Sequence, residues 1–168
     1  MSSDSLVPVF DLSFAAPAGE LARVSPLTRR LIAPNPGAFT FTGTCSYIVG
    51  QGEVAIIDPG PAISCHINAL LKTFAGEKLA AILVTHTHRD HSPAAGLLRE
   101  RTGAPVIGCA PYAARADQAG HGLDASHDRD FAPCRVMSDG ETLQIGGATI
   151  VAVATPGHTA NHLCFALR

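Results

Sequence analysis

The chain has 168 residues, of which 46% are hydrophobic and 15% charged, and its net charge is −2. This composition predicts a folded globular protein with a real core and argues against disorder over most of the chain. Non-specific binding to polyanions is not expected, because no block of like charges is present. A local basic patch would not show in the net charge.

The N-terminal residues do not have the pattern of an export signal, since Asp4 lies where a basic stretch would precede an apolar run. No run of about 18 apolar residues occurs, so no membrane span is expected. The five cysteines are scattered and contain no Cys-x-x-Cys pair, which argues against a disulfide framework and against a Cys-rich zinc site. We therefore expect a cytoplasmic protein with reduced thiols, whose oligomeric state is left open.

The first predicted elements follow a segment without a regular pattern. Residues 1–40 are predicted to be irregular, because prolines and a glycine interrupt them. Two apolar runs, 45–50 and 53–58, are joined through two glycines and predict a hairpin. Apolar residues at helical spacing then predict a helix over 62–75. His66 lies in this helix and is expected at the surface or at the helix end.

The middle of the chain predicts a strand, a helix and a second strand. A continuous apolar run at 79–85 is typical of a buried parallel strand. After a polar cluster, Ser92 is the expected N-cap of a helix and Pro93 its first residue. Gly103 is expected to end this helix, and a short strand at 105–108 follows.

The last third predicts a helix near 111–118 and a polar loop over 119–130. Two strands, at 141–145 and 148–154, are expected to meet at a pair of glycines, and residues 162–168 resemble the start of another strand. Strands that alternate with helices indicate an α/β layered architecture. Because the sequence stops on a strand-like run, we expect it to be the first part of a larger domain.

The run HTHRDH at 86–91 directly follows the predicted buried strand, and ligand-binding loops collect at the carboxyl ends of strands in α/β sheets. Side chains two residues apart in extended chain point the same way, so His86 and His88 can converge on one ion. Asp90 and His91 follow as the chain turns, so one loop can supply ligands for two neighbouring ions. Imidazole and carboxylate ligands suit zinc. The alternative is a set of polar residues in a solvated loop.

A second candidate turn, with the sequence TPGHT, follows the predicted strand at 148–154. A tight Pro-Gly turn would present His158 at the same edge of the sheet. With His86 and His88 it would complete three protein ligands and leave a fourth position for water, as in catalytic zinc sites. On its own, a histidine after Pro-Gly is more often an ordinary loop residue.

These motifs, together with the IDPG sequence at 57–60, resemble the metallo-β-lactamase fold superfamily. Within it, residues 30–168 are similar to the β-lactamase-like protein 2 group of hydrolases. The resemblance implies an αββα sandwich with its metals at one edge, of which residues 41–168 would be the N-terminal part.

By matching positions, the resemblance implies that His86, His88 and His158 hold a first metal ion, and that Asp90 and His91 hold a second. The implied cofactor is a pair of Zn²⁺ ions, and Asp90 is also the candidate catalytic residue. The family bridges its metals with an Asp in a Gly-Asp motif and adds a further His, and both would lie beyond the last residue of this sequence.

Two further residues are candidates for supporting roles. Asp58 matches an acid that supports the metal loop in the family, and an ordinary turn acid is the alternative. His162 is a candidate supporting residue or substrate contact, with a purely structural role as the alternative. Thr87 occupies a position where iron-dependent relatives have a Glu ligand, and so it favours zinc.

The remaining histidines, and Cys164, are not expected to take part in the chemistry of the site. His121 and His127 are expected in a solvated loop, and Cys164 is expected in the core.

The leading functional hypothesis is a zinc-dependent hydrolase that uses activated water on an ester, amide or phosphodiester, with a small-molecule or phosphodiester substrate. An endoribonuclease acting on single-stranded RNA is one alternative, which the charge and the lack of interleaved aromatic and basic residues do not support. Thioester hydrolysis of the glyoxalase II kind is another, and β-lactam hydrolysis is disfavoured because an export signal is missing. A truncated, catalytically silent metal-binding protein is the alternative from a different class.

Overall fold

Strands predominate in the computed structural model, which describes residues 16–113 and 126–168. These residues contain ten strands and two helices. The strands are β1 (Ala22–Ser25), β2 (Thr28–Ile32), β3 (Cys45–Gln51), β4 (Glu53–Ile57), β5 (Lys78–Val84), β6 (Val106–Gly108), β7 (Arg135–Val136), β8 (Thr142–Ile145), β9 (Ala148–Ala154) and β10 (Leu163–Leu167). The helices are α1 (Ser64–Thr73) and α2 (Ala94–Thr102).

The strands form two sheets, one of seven strands in the order β1 to β7 and one of three strands in the order β10-β9-β8. Strands β1 to β4 are antiparallel neighbours, whereas β4 to β7 run parallel. Parallel neighbours need a crossover connection, which α1 supplies between β4 and β5 and α2 between β5 and β6. The carboxyl ends of β4, β5 and β6 therefore lie at one edge, where binding loops can meet.

The hydrophobic core forms where the middle strands of the larger sheet meet the helices. Ile67 and Leu70 share one face of α1 and are fully buried. Ile82 and Leu83 in β5 are also fully buried, as expected for a parallel strand covered on both faces. Burying each such side chain contributes about 1.5–3 kcal/mol. Ile150 of β9 belongs to the same buried cluster, so the smaller sheet packs on the larger one.

Both helices are short, with ten residues in α1 and nine in α2. In the part of the chain that the structure describes, no helix is long and apolar enough to cross a membrane. The predicted end of α2 is confirmed, because Gly103 adopts a left-handed conformation with φ 74°. Helix α1 is shorter than the predicted range of 62–75, because Ile63 is still extended.

The structure confirms the α/β alternation and most of the predicted strands. The hairpin is β3 and β4, and the buried parallel strand is β5. The remaining predicted strands are β6, β8, β9 and β10, each within a few residues of the expected range.

The prediction of irregular structure over 1–40 is wrong for β1 and β2. These strands pair with each other, and β2 pairs with β3 along its full length, so they extend the larger sheet. The sequence did not reveal β2 because Arg29 and Arg30 interrupt its apolar pattern. The expected division into 1–40 and 41–168 stays a prediction.

Two other expectations concern the segments around α2. Ser92 is not the N-cap: Pro93 holds that position without a side-chain cap, and the Ser92 hydroxyl donates to the Asp128 carboxylate at 2.8 Å instead. Residues 111–113 are not helical. The rest of the helix expected near 111–118, most of the loop over 119–130, and His121 lie outside the described residues.

His66 lies in the first turn of α1, as expected, but it is not at the surface. Only 1% of the residue is exposed. Its Nε2 atom lies 3.1 Å from the carbonyl oxygen of Pro59 and 3.3 Å from the Ser46 hydroxyl. Burial lowers the pKa of His66 below its ordinary value of 6.5, so its ring is neutral.

The turn between β8 and β9 ties the two sheets together. Residue 146 has no room for a side chain, because a Cβ atom on Gly146 would overlap the carbonyl oxygen of Glu53 and lie 2.6 Å from the backbone nitrogen of Gln51. The Gln51 N–H donates to the Gly146 carbonyl at 3.0 Å. The next residue, Gly147, also has a positive φ, of 84°, but a Cβ there would meet nothing within 4 Å.

We expect Gly146→Ala to destabilise the protein more than Gly147→Ala. Both substitutions place a side chain in the left-handed region, at a cost of about 1–2 kcal/mol. Only Gly146→Ala adds a clash with the backbone of the larger sheet, which costs roughly another 1–3 kcal/mol. Urea unfolding of the two variants measures the difference, and equal losses would contradict a tight approach of the sheets at Gly146.

Candidate metal centre

The candidate metal-binding residues lie on two loops that meet where the sheets come together. One loop, 85–93, connects β5 with α2, and the other, 155–162, connects β9 with β10. The backbone N–H of Leu163 donates to the carbonyl of Thr85 at 2.9 Å, which joins the two loops directly. Both predicted turns therefore reach one edge of the fold.

Three histidines that the sequence predicts as one metal site converge at this edge. Nδ1 of His88 lies 3.1 Å from Nε2 of His86 and 3.1 Å from Nε2 of His158. One donor atom from each lies within 4.8 Å of the other two. His86 is buried and His158 is exposed, so the cluster opens to solvent on the side of His158. We call these three residues the histidine triad.

A chain of hydrogen bonds determines which nitrogen of His86 faces the triad. The Thr85 hydroxyl donates to the Asp58 carboxylate at 2.7 Å, so its only proton is already used. It therefore accepts the Nδ1–H of His86, which is 2.8 Å away. Nε2 of His86 is then unprotonated and presents its lone pair to the triad, as a metal ligand must.

The surroundings keep His86 and His88 neutral. Burial, assisted by the neighbouring histidines, lowers the pKa of His86 to about 2. Burial together with His127 and His158 lowers the pKa of His88 to about 4. Imidazole nitrogens that face one another have too few protons to satisfy all their lone pairs, whereas a cation among them is attracted by each. Their spacing also fits zinc, since nitrogens that share a tetrahedral ion are on the order of 3.3 Å apart.

His91 lies between two carboxylates and forms a second donor group with Asp90. Its Nδ1 lies 3.0 Å from Oδ2 of Asp58, and its Nε2 lies 3.2 Å from Oδ2 of Asp90. Although burial opposes the charge, the hydrogen bonds to Asp58 and Asp90 raise the pKa of His91 to about 9. Burial also disfavours the charge on Asp90, but its hydrogen bond to His91 lowers the pKa of that carboxyl to about 2. His91 and Asp90 are therefore both charged, and a metal ion bound here would replace the proton on Nε2 of His91.

Asp58 is close enough to be a ligand, but its contacts favour a supporting role. Its donor atom lies within 4.8 Å of those of His86 and His91. However, Oδ1 accepts the Thr85 backbone N–H at 2.8 Å, and Oδ2 is within reach of both the Thr85 hydroxyl and His91 Nδ1. A metal-ligating histidine usually donates its other N–H to such a carboxylate. Asp58 thus leaves Nε2 of His91 as the candidate ligand atom beside Asp90.

A segment remote in sequence holds the first loop in place. His127 forms a backbone bridge with His88, and the Asp128 N–H donates to the Thr87 carbonyl at 2.6 Å. Nδ1 of His127 lies 2.9 Å from the Thr87 hydroxyl, and its ring stacks on Tyr112 with centroids 3.8 Å apart. The expectation that His127 is solvated is wrong, because this packing buries it.

His162 lies beside the triad but outside both donor groups. Its Nδ1 is 2.8 Å from the Thr155 hydroxyl, and its ring centroid is 4.9 Å from that of His86. This position favours a supporting role over ligation. The expectation for Cys164 is wrong: it is exposed, because β10 is an edge strand of the smaller sheet.

Two threonines that were not predicted from the sequence contact the site. Thr85 and Thr155 each follow an apolar strand and precede a histidine turn. The hydroxyl of Thr85 lies 2.8 Å from Nδ1 of His86, and that of Thr155 lies 2.8 Å from Nδ1 of His162. The shared order of strand, threonine and histidine turn is the signal that points to them.

The sequence matches the family model of the metallo-beta-lactamase superfamily over residues 39–168. It is 32% identical over 154 residues to an atrochrysone carboxyl ACP thioesterase of Aspergillus chevalieri, covering 90% of this chain and 45% of that protein. It is 34% identical over 151 residues to the lactamase-like protein adaB of Aspergillus niger, covering 88% of this chain and 43% of that protein. The chain thus spans less than half of the length of these relatives.

A likeness to solved structures confirms the expected fold. The native FEZ-1 metallo-beta-lactamase of Legionella gormanii matches with a TM-score of 0.67 at 17% identity, covering 92% of this chain and 60% of that chain. The narrower resemblance to the β-lactamase-like protein 2 group stays a prediction.

We expect His158→Ala and His162→Ala to affect zinc binding differently. Loss of His158 removes a donor from the triad and should lower the affinity for the first zinc ion by about 100-fold or more. This exceeds the 10–100-fold loss typical of residues that only support ligands. Loss of His162 should lower that affinity by about tenfold at most and leave the zinc content per chain unchanged. Calorimetric titration of the full-length protein measures both. If His162→Ala no longer bound the first zinc ion, this division of roles would be contradicted.

Proposed function

Because the chain belongs to the metallo-β-lactamase superfamily, we propose that it forms the metal-binding part of a zinc-dependent hydrolase that acts on thioesters. The observation that carries the proposal is the convergence of three imidazole nitrogens, from His86, His88 and His158, at one open edge of the fold. Such a donor set suits zinc and leaves room for a reacting group.

In this proposal the histidine triad holds the first zinc ion, and Asp90 and His91 contribute to the second. Zinc in such a site supplies Lewis-acid chemistry, because it lowers the pKa of water and polarises the scissile group. Imidazole nitrogens favour zinc over magnesium or calcium, which prefer oxygen ligands. Thr87, at the position of the Glu ligand in iron-dependent relatives, supports the same choice.

The residues around the ligands hold protons in place. The Thr85 hydroxyl keeps the proton of His86 on Nδ1, and Asp58 keeps the proton of His91 on Nδ1, so that Nε2 of each ring faces the site. Asp90 is half-buried, and its lowered pKa keeps it ionised at neutral pH. We propose that Asp90, as the candidate catalytic residue, orients the attacking water by accepting a hydrogen bond from it.

The choice of a thioester rests on the relatives. Several proteins that are 30–33% identical over most of this chain carry the name of an ACP thioesterase. A thioester carbonyl is also attacked by the same activated water as an ester or amide. A cytoplasmic location, which the scattered cysteines favour, belongs to this proposal.

The substrate class can be tested on the full-length protein with three probes: an acyl-pantetheine thioester, a β-lactam and a single-stranded RNA. We expect hydrolysis of the thioester that a chelator abolishes and added Zn²⁺ restores. His86→Ala, which removes the most buried triad nitrogen, should lower turnover by about 100-fold or more.

Preferential hydrolysis of the RNA or the β-lactam would overturn the thioester assignment and leave the metal-dependent hydrolase. Thioester hydrolysis that resists the chelator would overturn the metal-dependent mechanism itself. A protein that binds zinc and acts on none of the probes would favour the catalytically silent alternative.

A further inference from the structure

Asp58 adopts a backbone conformation that is uncommon for residues other than glycine. Its φ is 49°, and among the described residues only Phe41 shares a positive φ without being glycine. The left-handed region is strained for residues with a Cβ atom and persists where surrounding contacts enforce it. Contacts with surrounding residues must therefore hold the turn that contains Asp58.

Part of that restraint comes from the backbone on either side. The Asp58 N–H donates to the Leu83 carbonyl at 2.8 Å. The Gly60 N–H donates to the His91 carbonyl at 2.9 Å, and the Gly60 carbonyl accepts the Ala94 N–H at 3.0 Å. The turn is thus joined to the metal-binding loop and to the start of α2.

The carbonyl of Pro59, between these two residues, has a different partner. Pro59 is buried and has left the strand pairing of β4, so its carbonyl needs a donor from elsewhere. Nε2 of His66 lies 3.1 Å from this oxygen. The ring also packs on the turn, because a Cβ atom at Gly60 would lie 3.0 Å from Nε2.

Apart from the Ser46 hydroxyl, which lies 3.3 Å from the same Nε2 atom, no other contact of His66 is polar among the described residues. Its Nδ1 atom is buried without a hydrogen-bond partner among the described residues. The other inward positions of α1, Ile67 and Leu70, are apolar. An apolar residue would satisfy the core at least as well, so the contact with Pro59 is what a histidine adds here.

We propose that His66 is a positioning residue of the second donor group. By donating to the Pro59 carbonyl, it keeps Asp58 in its left-handed conformation, and Asp58 in turn orients His91. The proposal rests on the proposed function only in requiring that Asp90 and His91 bind a metal ion.

His66 should affect the second ion more than the first. Asp58 contacts His91 directly, at 3.0 Å, whereas it reaches His86 through Thr85. Thr85 is also anchored by Leu163 N–H, and His158 comes from the other sheet. If His66 had a purely structural role, replacing it would instead lower stability without affecting the two ions differently.

The test is a zinc titration of the full-length protein by calorimetry, combined with urea unfolding. We expect His66→Leu to weaken the second zinc equivalent by about tenfold and the first by less than about threefold, in line with the effect of residues that orient ligands. His66→Gln should restore the second affinity, because its amide nitrogen reaches the position of Nε2. Leu70→Ala, on the same face of α1, is the matched control that lowers stability and leaves both affinities unchanged.

Should His66→Leu fail to fold, His66→Asn takes its place, because its amide ends short of the Pro59 carbonyl and should weaken the second ion as His66→Leu would. The proposal is overturned if these variants bind both ions as the wild type does, if both affinities fall equally, or if the wild type binds one ion. The titration is independent of turnover, so two bound zinc ions without thioester hydrolysis would refute the proposed function alone.

Discussion

The Asp58 carboxylate, which accepts three hydrogen bonds, connects both groups of metal donors. Two of these bonds come from Thr85 and one from His91. Through Thr85 the carboxylate determines the tautomer of His86, and through His91 it determines which nitrogen faces Asp90. Because Asp58 is buried, water does not compete for these bonds. One side chain therefore orients a candidate ligand in each group, which gives a reason for the strained backbone at this position.

The histidine triad brings three ring nitrogens together, and burial disfavours a charge on His86 and His88. Burying polar rings in this way is a local conflict with the apolar core under β5. Natural proteins tolerate such local conflicts where a site requires them. The conflict here lies at the carboxyl end of a buried strand, which is the edge at which α/β sheets bind ligands.

Much of the site could be predicted because its signals are local in sequence. A buried strand followed by HTHRDH places ligands at a sheet edge, and the Pro-Gly turn before His158 does the same from the other sheet. The roles of His66 and His127 could not be predicted in this way. Each is buried by contacts with a segment outside its own element, the turn at Pro59 for His66 and the loop at Thr87 for His127. Strand β2 was not predicted for a related reason. Arg29 pairs with Glu77 of a distant loop and is therefore tolerated in a strand.

The triad draws its members from both sheets, and this links metal binding to the packing of the fold. His86 and His88 follow β5 of the larger sheet, whereas His158 follows β9 of the smaller one. Hydrogen bonds also join the sheets at this edge, among them the bond from the Leu163 N–H to the Thr85 carbonyl. A ligand that binds only the native arrangement stabilises it by RT ln(1 + [L]/Kd), about 2.7 kcal/mol at a hundredfold excess over Kd. An ion shared by these three histidines would hold the sheets together as well as serve chemistry, so the orientation of the sheets and the affinity of the site depend on each other.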